Sequence, residues 1–196
     1  MTCVCVFGDS FAVGAIDNKS GGWADRLKVH FLKTDDETTV YNLGINGDTT
    51  KELLERFQEI KTRKPNTLII QVGINDSSYN SKNKPRVTLK QFEENIIKLI
   101  NLSRKSKVKK ILFLGLSRVI DSMVHPYLYS PNKTNFSNVS IEKYDAVLKK
   151  LSKKNKAVYL ETASLLNRSE LKEDGLHPGP KYHKQVYEKV KKELNL

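Results

Sequence analysis

Short apolar runs alternate with longer amphipathic stretches along this chain. Runs of strand length occupy residues 2–7, 38–43, 67–72, 110–116 and 157–160, dense in Val, Ile, Leu and Phe. Between them apolar residues recur at helical spacing: Trp23, Leu27 and Phe31, then Leu53, Leu54, Phe57 and Ile60. Leu89, Phe92, Ile96 and Ile100 form a third stripe, and Ile141, Tyr144, Leu148 and Leu151 a fourth. Helix starts are marked as well. Thr49 precedes Glu52 by three residues and Thr88 precedes Gln91 likewise, the spacing of capping boxes. Pro180 suits the first turn of a last helix reaching Glu193, because its missing N–H has no partner there in any case. Strand and helix in alternation is the pattern of βαβ units around a parallel sheet.

With 196 residues the chain is expected to fold as one domain spanning 1–196, large enough for a core without covalent staples. Hydrophobic residues make up 38% and charged residues 29%, which argues against both a disordered chain and a membrane-embedded one. Met1-Thr2 leads straight into the first apolar run, leaving no room for a secretory leader, so a cytoplasmic location is expected. Cys3 and Cys5 share one face of that first strand. This spacing suits neither a disulfide nor a metal site, and no zinc-ligand spacing occurs elsewhere, so no metal is expected.

In an open parallel sheet, ligands bind beyond the carboxyl ends of the strands. The first apolar run ends there on Gly8-Asp9-Ser10, the second on Gly44, the third on Gly73 and Asn75, and Asp174-Gly175-Leu176-His177 precedes the last helix. These residues supply a full acyl-transfer set. Ser10 is a weak nucleophile until a base takes its proton. His177 can take it, and Asp174, three residues earlier, can hold the imidazole in the right tautomer. The oxyanion of a tetrahedral intermediate would then find donors in the backbone N–H groups of Ser10 and Gly44 and the side-chain amide of Asn75. No cofactor is needed.

The same residues carry a resemblance. Gly8-Asp9-Ser10 with Gly14, the stretch from Asn42 to Thr49, Gly73-Ile74-Asn75-Asp76, and Asp174 to Pro178 are similar in order and content to the four signature blocks of the SGNH hydrolases, or GDSL esterases/lipases. "GGWADRL", starting at Gly21, looks like the first helix of that family, whereas Tyr182-His183 stands where members often place Gly before an aromatic. The resemblance implies a flavodoxin-like three-layer α/β/α sandwich with about five parallel strands. It implies Ser10 as nucleophile, Asp174 and His177 as triad partners, and Gly44 and Asn75 completing the oxyanion hole. The expected substrate is a small-molecule carboxylic ester or thioester. Alternatives are deacetylation of O-acetylated sugars, acyl transfer, or a noncatalytic module that binds an anionic polymer.

Each block alone is weak, since Gly-Asp-Ser and Asp-Gly are common turn sequences. Their joint placement at successive strand ends carries the reading. Asp9 and Asp76 are expected to hold their own loops, with Asp9 also a candidate substrate contact. Residues 117–138 form a long irregular connection containing His125, Tyr127, Tyr129 and Phe136, expected to serve as a lid or pocket wall. His125, Tyr127 and Tyr129 are accordingly candidate substrate contacts. His30 and His183, in helical stretches, are expected to be structural or exposed. Formal net charge is +12, concentrated near predicted helix C-termini, where cations complement the helix dipole. A basic rear face remote from the reaction is therefore expected, solvated by default, with nucleic acid or an anionic membrane as its alternative partners.

Overall fold

A computed structural model describes residues 2–34, 37–130, 134–171 and 173–196. Five parallel strands form one sheet: β1 (Cys3–Gly8), β2 (Thr39–Gly44), β3 (Thr67–Gln71), β4 (Lys110–Leu114) and β5 (Val158–Leu160). Their order, β2-β1-β3-β4-β5, is the flavodoxin-like winding, and its direction reverses between β1 and β3. Each strand lies within about two residues of its expected span. The central strands are buried along nearly their whole length, as a sheet covered on both faces requires.

The helices are α1 (Ser10–Val13), α2 (Gly22–Lys33), α3 (Thr50–Glu55), α4 (Gln58–Arg63), α5 (Ile74–Ser77), α6 (Leu89–Lys105), α7 (Asn138–Lys154) and α8 (Pro180–Glu193). α2 packs on α8, and α6 packs on α3 and α7, giving one layer on each face. Both expected capping boxes are formed, at Thr49 and at Thr88. The expected stripe through Leu53 and Ile60 is divided between α3 and α4. The break falls at Arg56, whose guanidinium reaches the Gly8 carbonyl at 3.1 Å and Asp48 Oδ2 at 2.7 Å, drawing the chain towards the end of β1. Leu89, expected in the third stripe, is exposed because it opens α6, while Phe92, Ile96 and Ile100 are buried.

Cys5 is buried and Cys3 half-buried, both as free thiols. Burial pushes the Cys5 thiol up to about 12, so it stays protonated at neutral pH. Two polar ties fix α2 and α8 to the sheet. Trp23 Nε1 donates to Gln71 Oε1 at 2.6 Å, and Tyr182, fully buried, donates to Thr162 Oγ1 at 3.1 Å.

His183 is also fully buried, near the ion pair of Asp17 with Arg26. Burial lowers its pKa to about 4; Asp17 partly opposes this and Arg26 adds to it. Above about pH 6.5 the ring is neutral in both folded and unfolded chains. As the pH falls from there towards 4, the unfolded chain takes a proton that the folded core refuses, so stability drops. Urea unfolding of wild type and His183→Phe at pH 7 and pH 4.5 should show an extra loss of roughly 2 to 3 kcal/mol in wild type on acidification. Equal acid losses in the two proteins would contradict this assignment.

Candidate active site

β1 delivers the first component. Gly8 ends the strand so close to β3 that a Cβ there would sit 2.1 Å from the Gln71 carbonyl oxygen, so only glycine fits. Asp9 N donates to that same oxygen at 3.1 Å, and the chain leaves the sheet. The Asp9 side chain then accepts from Phe11 N at 3.0 Å and caps α1, whose first residue is Ser10.

The opposite component comes from the turn before α8. Asp174 Oδ1 accepts the backbone N–H groups of Leu176 at 2.9 Å and His177 at 2.8 Å, while Gly175 takes a positive φ of 77° to close the turn. His177 Nδ1 lies 2.6 Å from Asp174 Oδ2 and its Nε2 lies 2.8 Å from Ser10 Oγ. With Nδ1–H given to the carboxylate, Nε2 is left to accept the serine hydroxyl proton. Burial would raise the Asp174 carboxyl, but hydrogen bonds from the His177 ring and from the two backbone N–H groups hold it at about 2. The carboxylate therefore stays ionised wherever the imidazole works. The Phe11 ring stands 5.7 Å from the His177 ring and limits its movement.

The donors for an oxyanion are arranged differently from expectation. Gly44 does not offer its N–H, which is donated to Asn42 Oδ1 at 3.1 Å. Gly44 is a packing glycine instead: a Cβ there would meet Val13 N at 2.6 Å. The next glycine along, Gly47, has φ 83° and open space within 4 Å of its missing Cβ. Among the described residues nothing accepts its N–H. It sits inside the turn closed by Asp48 N donating to Ile45 O, so Gly47 is the better donor candidate in this loop. Its signal in the sequence was Asn46-Gly47, a turn dipeptide that lifts the backbone off the sheet. Asn75, expected as a donor, opens towards this loop and gives one amide hydrogen to Asp48 O at 2.9 Å.

Of the four candidate substrate contacts, two face inward. Asp9 is buried and spends one side-chain oxygen on the α1 cap and the other on Asn75 Nδ2 at 3.5 Å; burial, with Asp76 and Asp48 nearby, pushes its pKa up to about 8. Asp76 accepts from Thr50 N and Thr50 Oγ1, holding the start of α3. Tyr127 is likewise buried, beneath the wall of the groove beside Asp174 and not in its lining. Its hydroxyl donates to Asp174 Oδ2 at 2.8 Å, behind the triad, and burial together with that carboxylate keeps the phenol protonated. Phe136 packs edge-on against the Tyr127 ring. His125 and Tyr129, by contrast, line an open groove of about 330 Å³ that reaches Asp174 and is also bounded by Met123 and Leu128. Residues 131–133 of this connection lie outside the described residues. Among the described residues no three His, Cys, Asp or Glu side chains converge as metal ligands would.

A serine, histidine and aspartate meeting beyond the ends of a flavodoxin-like sheet define a serine-hydrolase type of site. The chain belongs to the GDSL-like lipase/acylhydrolase family, whose model matches residues 6–185. It is 33% identical over 129 residues to the uncharacterized lipoprotein YqeF of Bacillus subtilis (strain 168), a match covering 64% of this chain and 53% of that protein. The chain thus aligns with about half the length of this curated relative. Similar solved structures include the lipase/acylhydrolase of Enterococcus faecalis, with TM-score 0.78 and 21% identity, covering 99% of this chain and 95% of that one. The acetylxylan esterase Axe2 of Geobacillus stearothermophilus follows with TM-score 0.75 and 19% identity, covering 100% and 94%.

Because the Tyr127 hydroxyl touches Asp174 while its ring only backs Tyr129 in the groove wall, removing the hydroxyl alone should slow turnover without weakening binding. Tyr127→Phe is expected to lower kcat by about ten-fold, on the scale of a hydrogen bond to a charged group, with KM within about two-fold. A rise in KM at unchanged kcat would instead make Tyr127 a substrate contact.

Proposed function

We propose that this protein hydrolyses carboxylic esters through an acyl-enzyme on Ser10. The observation that carries this reading is the unbroken path from Ser10 Oγ to His177 Nε2 and from His177 Nδ1 to Asp174, at 2.8 and 2.6 Å. Ser10 Oγ attacks the ester carbonyl carbon as its proton passes to His177. The tetrahedral oxyanion is met by backbone N–H groups, with Gly47 and Ser10 the candidates, and by the Asn75 amide once it exchanges its long contact to Asp9 Oδ2, 3.5 Å, for the oxyanion. The intermediate collapses, the C–O bond to the alcohol breaks, and His177 returns the proton to the leaving oxygen. Water then enters, gives its proton to the same imidazole, and releases the acid from Ser10.

A finer reading favours O-acetylated saccharides, in keeping with the acetylxylan esterase among the similar structures. The groove beside Asp174 presents Tyr129, 71% exposed, as a flat platform for a sugar ring. Comparing aryl esters of increasing acyl length with acetylated xylo-oligosaccharides tests that reading. Tyr129→Ala should raise KM for the saccharide and leave that for an aryl acetate unchanged.

The decisive test of the chemistry is Ser10→Ala. It should lose turnover by a factor on the order of 10⁴ or more while keeping its melting temperature. A fluorophosphonate probe should label wild type and not the variant. Turnover retained by a folded Ser10→Ala protein would overturn the mechanism.

A further inference from the structure

Three helices on one face of the sheet, α4, α6 and α7, end in a similar and unusual way. A lysine in the left-handed conformation caps α4, Lys64 at φ 49°, and follows the caps Ser106 of α6 and Asn155 of α7, Lys107 at φ 61° and Lys156 at φ 51°. All three are exposed. That conformation is the one in which glycine terminates helices without strain, and a side chain with a Cβ is disfavoured in it. The helix dipole does not account for the choice. The last turns of these helices already carry Lys61 and Arg63, Arg104 and Lys105, and Lys153 and Lys154, and the dipole's influence fades within that turn.

The three lysines stand on connections that feed β3, β4 and β5, which are neighbours in the sheet. These connections are tied together. Asn66 O accepts from Lys109 N at 2.9 Å and Lys110 N at 3.1 Å, and Arg104 donates to the carbonyl of Asn155. Segments 61–66, 104–110 and 153–157 contain no carboxylate and no aromatic residue. Lys110 is paired with Glu193 and Arg63 with Glu59, but Lys64, Lys105, Lys107, Lys109, Lys154 and Lys156 form no ion pair with a described residue. The result is a fixed row of cations at the edge of the sheet opposite the catalytic crevice.

We propose that this row is a docking surface for an anionic lipid bilayer. The two arginines, whose planar forks would suit phosphodiester or base recognition, are engaged within the protein: Arg63 lies over the Tyr41 ring and Arg104 bonds Asn155. The Tyr41 ring beside the row already carries the Arg63 guanidinium, and segments 61–66, 104–110 and 153–157 add no ring for unpaired bases to stack on. What remains is point charge on flexible stems, which matches a diffuse headgroup layer. Docked this way, the protein turns its catalytic rim towards water, and hydrolysis of a soluble ester continues unchanged.

The test is co-sedimentation of the intact protein with phosphatidylcholine vesicles, with and without one-third phosphatidylglycerol, at roughly 0.1 M salt. Wild type should bind only the anionic vesicles. K64G/K107G/K156G should bind them about five-fold more weakly per lysine removed, on the order of 100-fold in all. Because glycine suits the left-handed position, the variant should melt no lower than wild type and keep full activity on a soluble ester. The single variants, each with a five-fold loss, serve should the triple variant fail to fold. The proposal is overturned if wild type ignores anionic vesicles, if the glycine variants bind as wild type does, or if RNA or duplex DNA of equal phosphate concentration displaces the protein from the vesicles.

Discussion

The hydrogen bond from Ser10 to His177 joins residues 167 positions apart, and the rest of the structure holds its two ends in register. The nucleophile's end is set by one close approach, Gly8 against the Gln71 carbonyl. That contact lets β1 lie tight beside β3 and then release the chain into α1. The base's end is set by a turn whose carboxylate is saturated with backbone N–H groups before it meets the imidazole. Neither end tolerates drift, since proton transfer needs the heavy atoms within hydrogen-bond reach. The sheet supplies the rigidity that two separate loops lack.

Around that bond, buried polar groups act in pairs. Gly8 O receives Ile45 N and Arg56 Nη2, so the loop after β2 is fastened to the end of β1 from two directions. Arg56 also binds Asp48, and Asp48 O in turn receives Asn75. The loops after β1, β2 and β3 therefore form one hydrogen-bonded unit. A change in any member reaches the others without touching the nucleophile directly.

Strand positions were readable in the sequence because apolar runs of strand length between amphipathic stretches leave few alternative windings. The meeting of Ser10, His177 and Asp174 was readable because these residues carry chemistry that turns rarely need together. Less was legible where function depends on direction. Gly44 and Gly47 stand three positions apart in one loop, and only the engaged N–H of Gly44 separates packing from donation. Asp9 and Tyr127 looked like pocket residues, yet their partners, Phe11 N and Asp174 Oδ2, turn them inward; the second of these is a long-range contact with no local signature. α1 and α5 are too short to show a period, and the break at Arg56 has its cause in β1, not in α3.

The inward turn of Tyr127 divides the long connection into two parts with separate duties. Its ring is clamped between Phe136 and the triad, while Leu128 and Tyr129, immediately after it, stand in solvent at 81% and 71% exposure. The Tyr127 ring still touches that of Tyr129, at 5.6 Å between centroids, so the outer part leans on the inner one while only the inner one reaches Asp174 through its hydroxyl. The passage from a buried, hydrogen-bonded side chain to one standing in solvent is a single peptide bond wide.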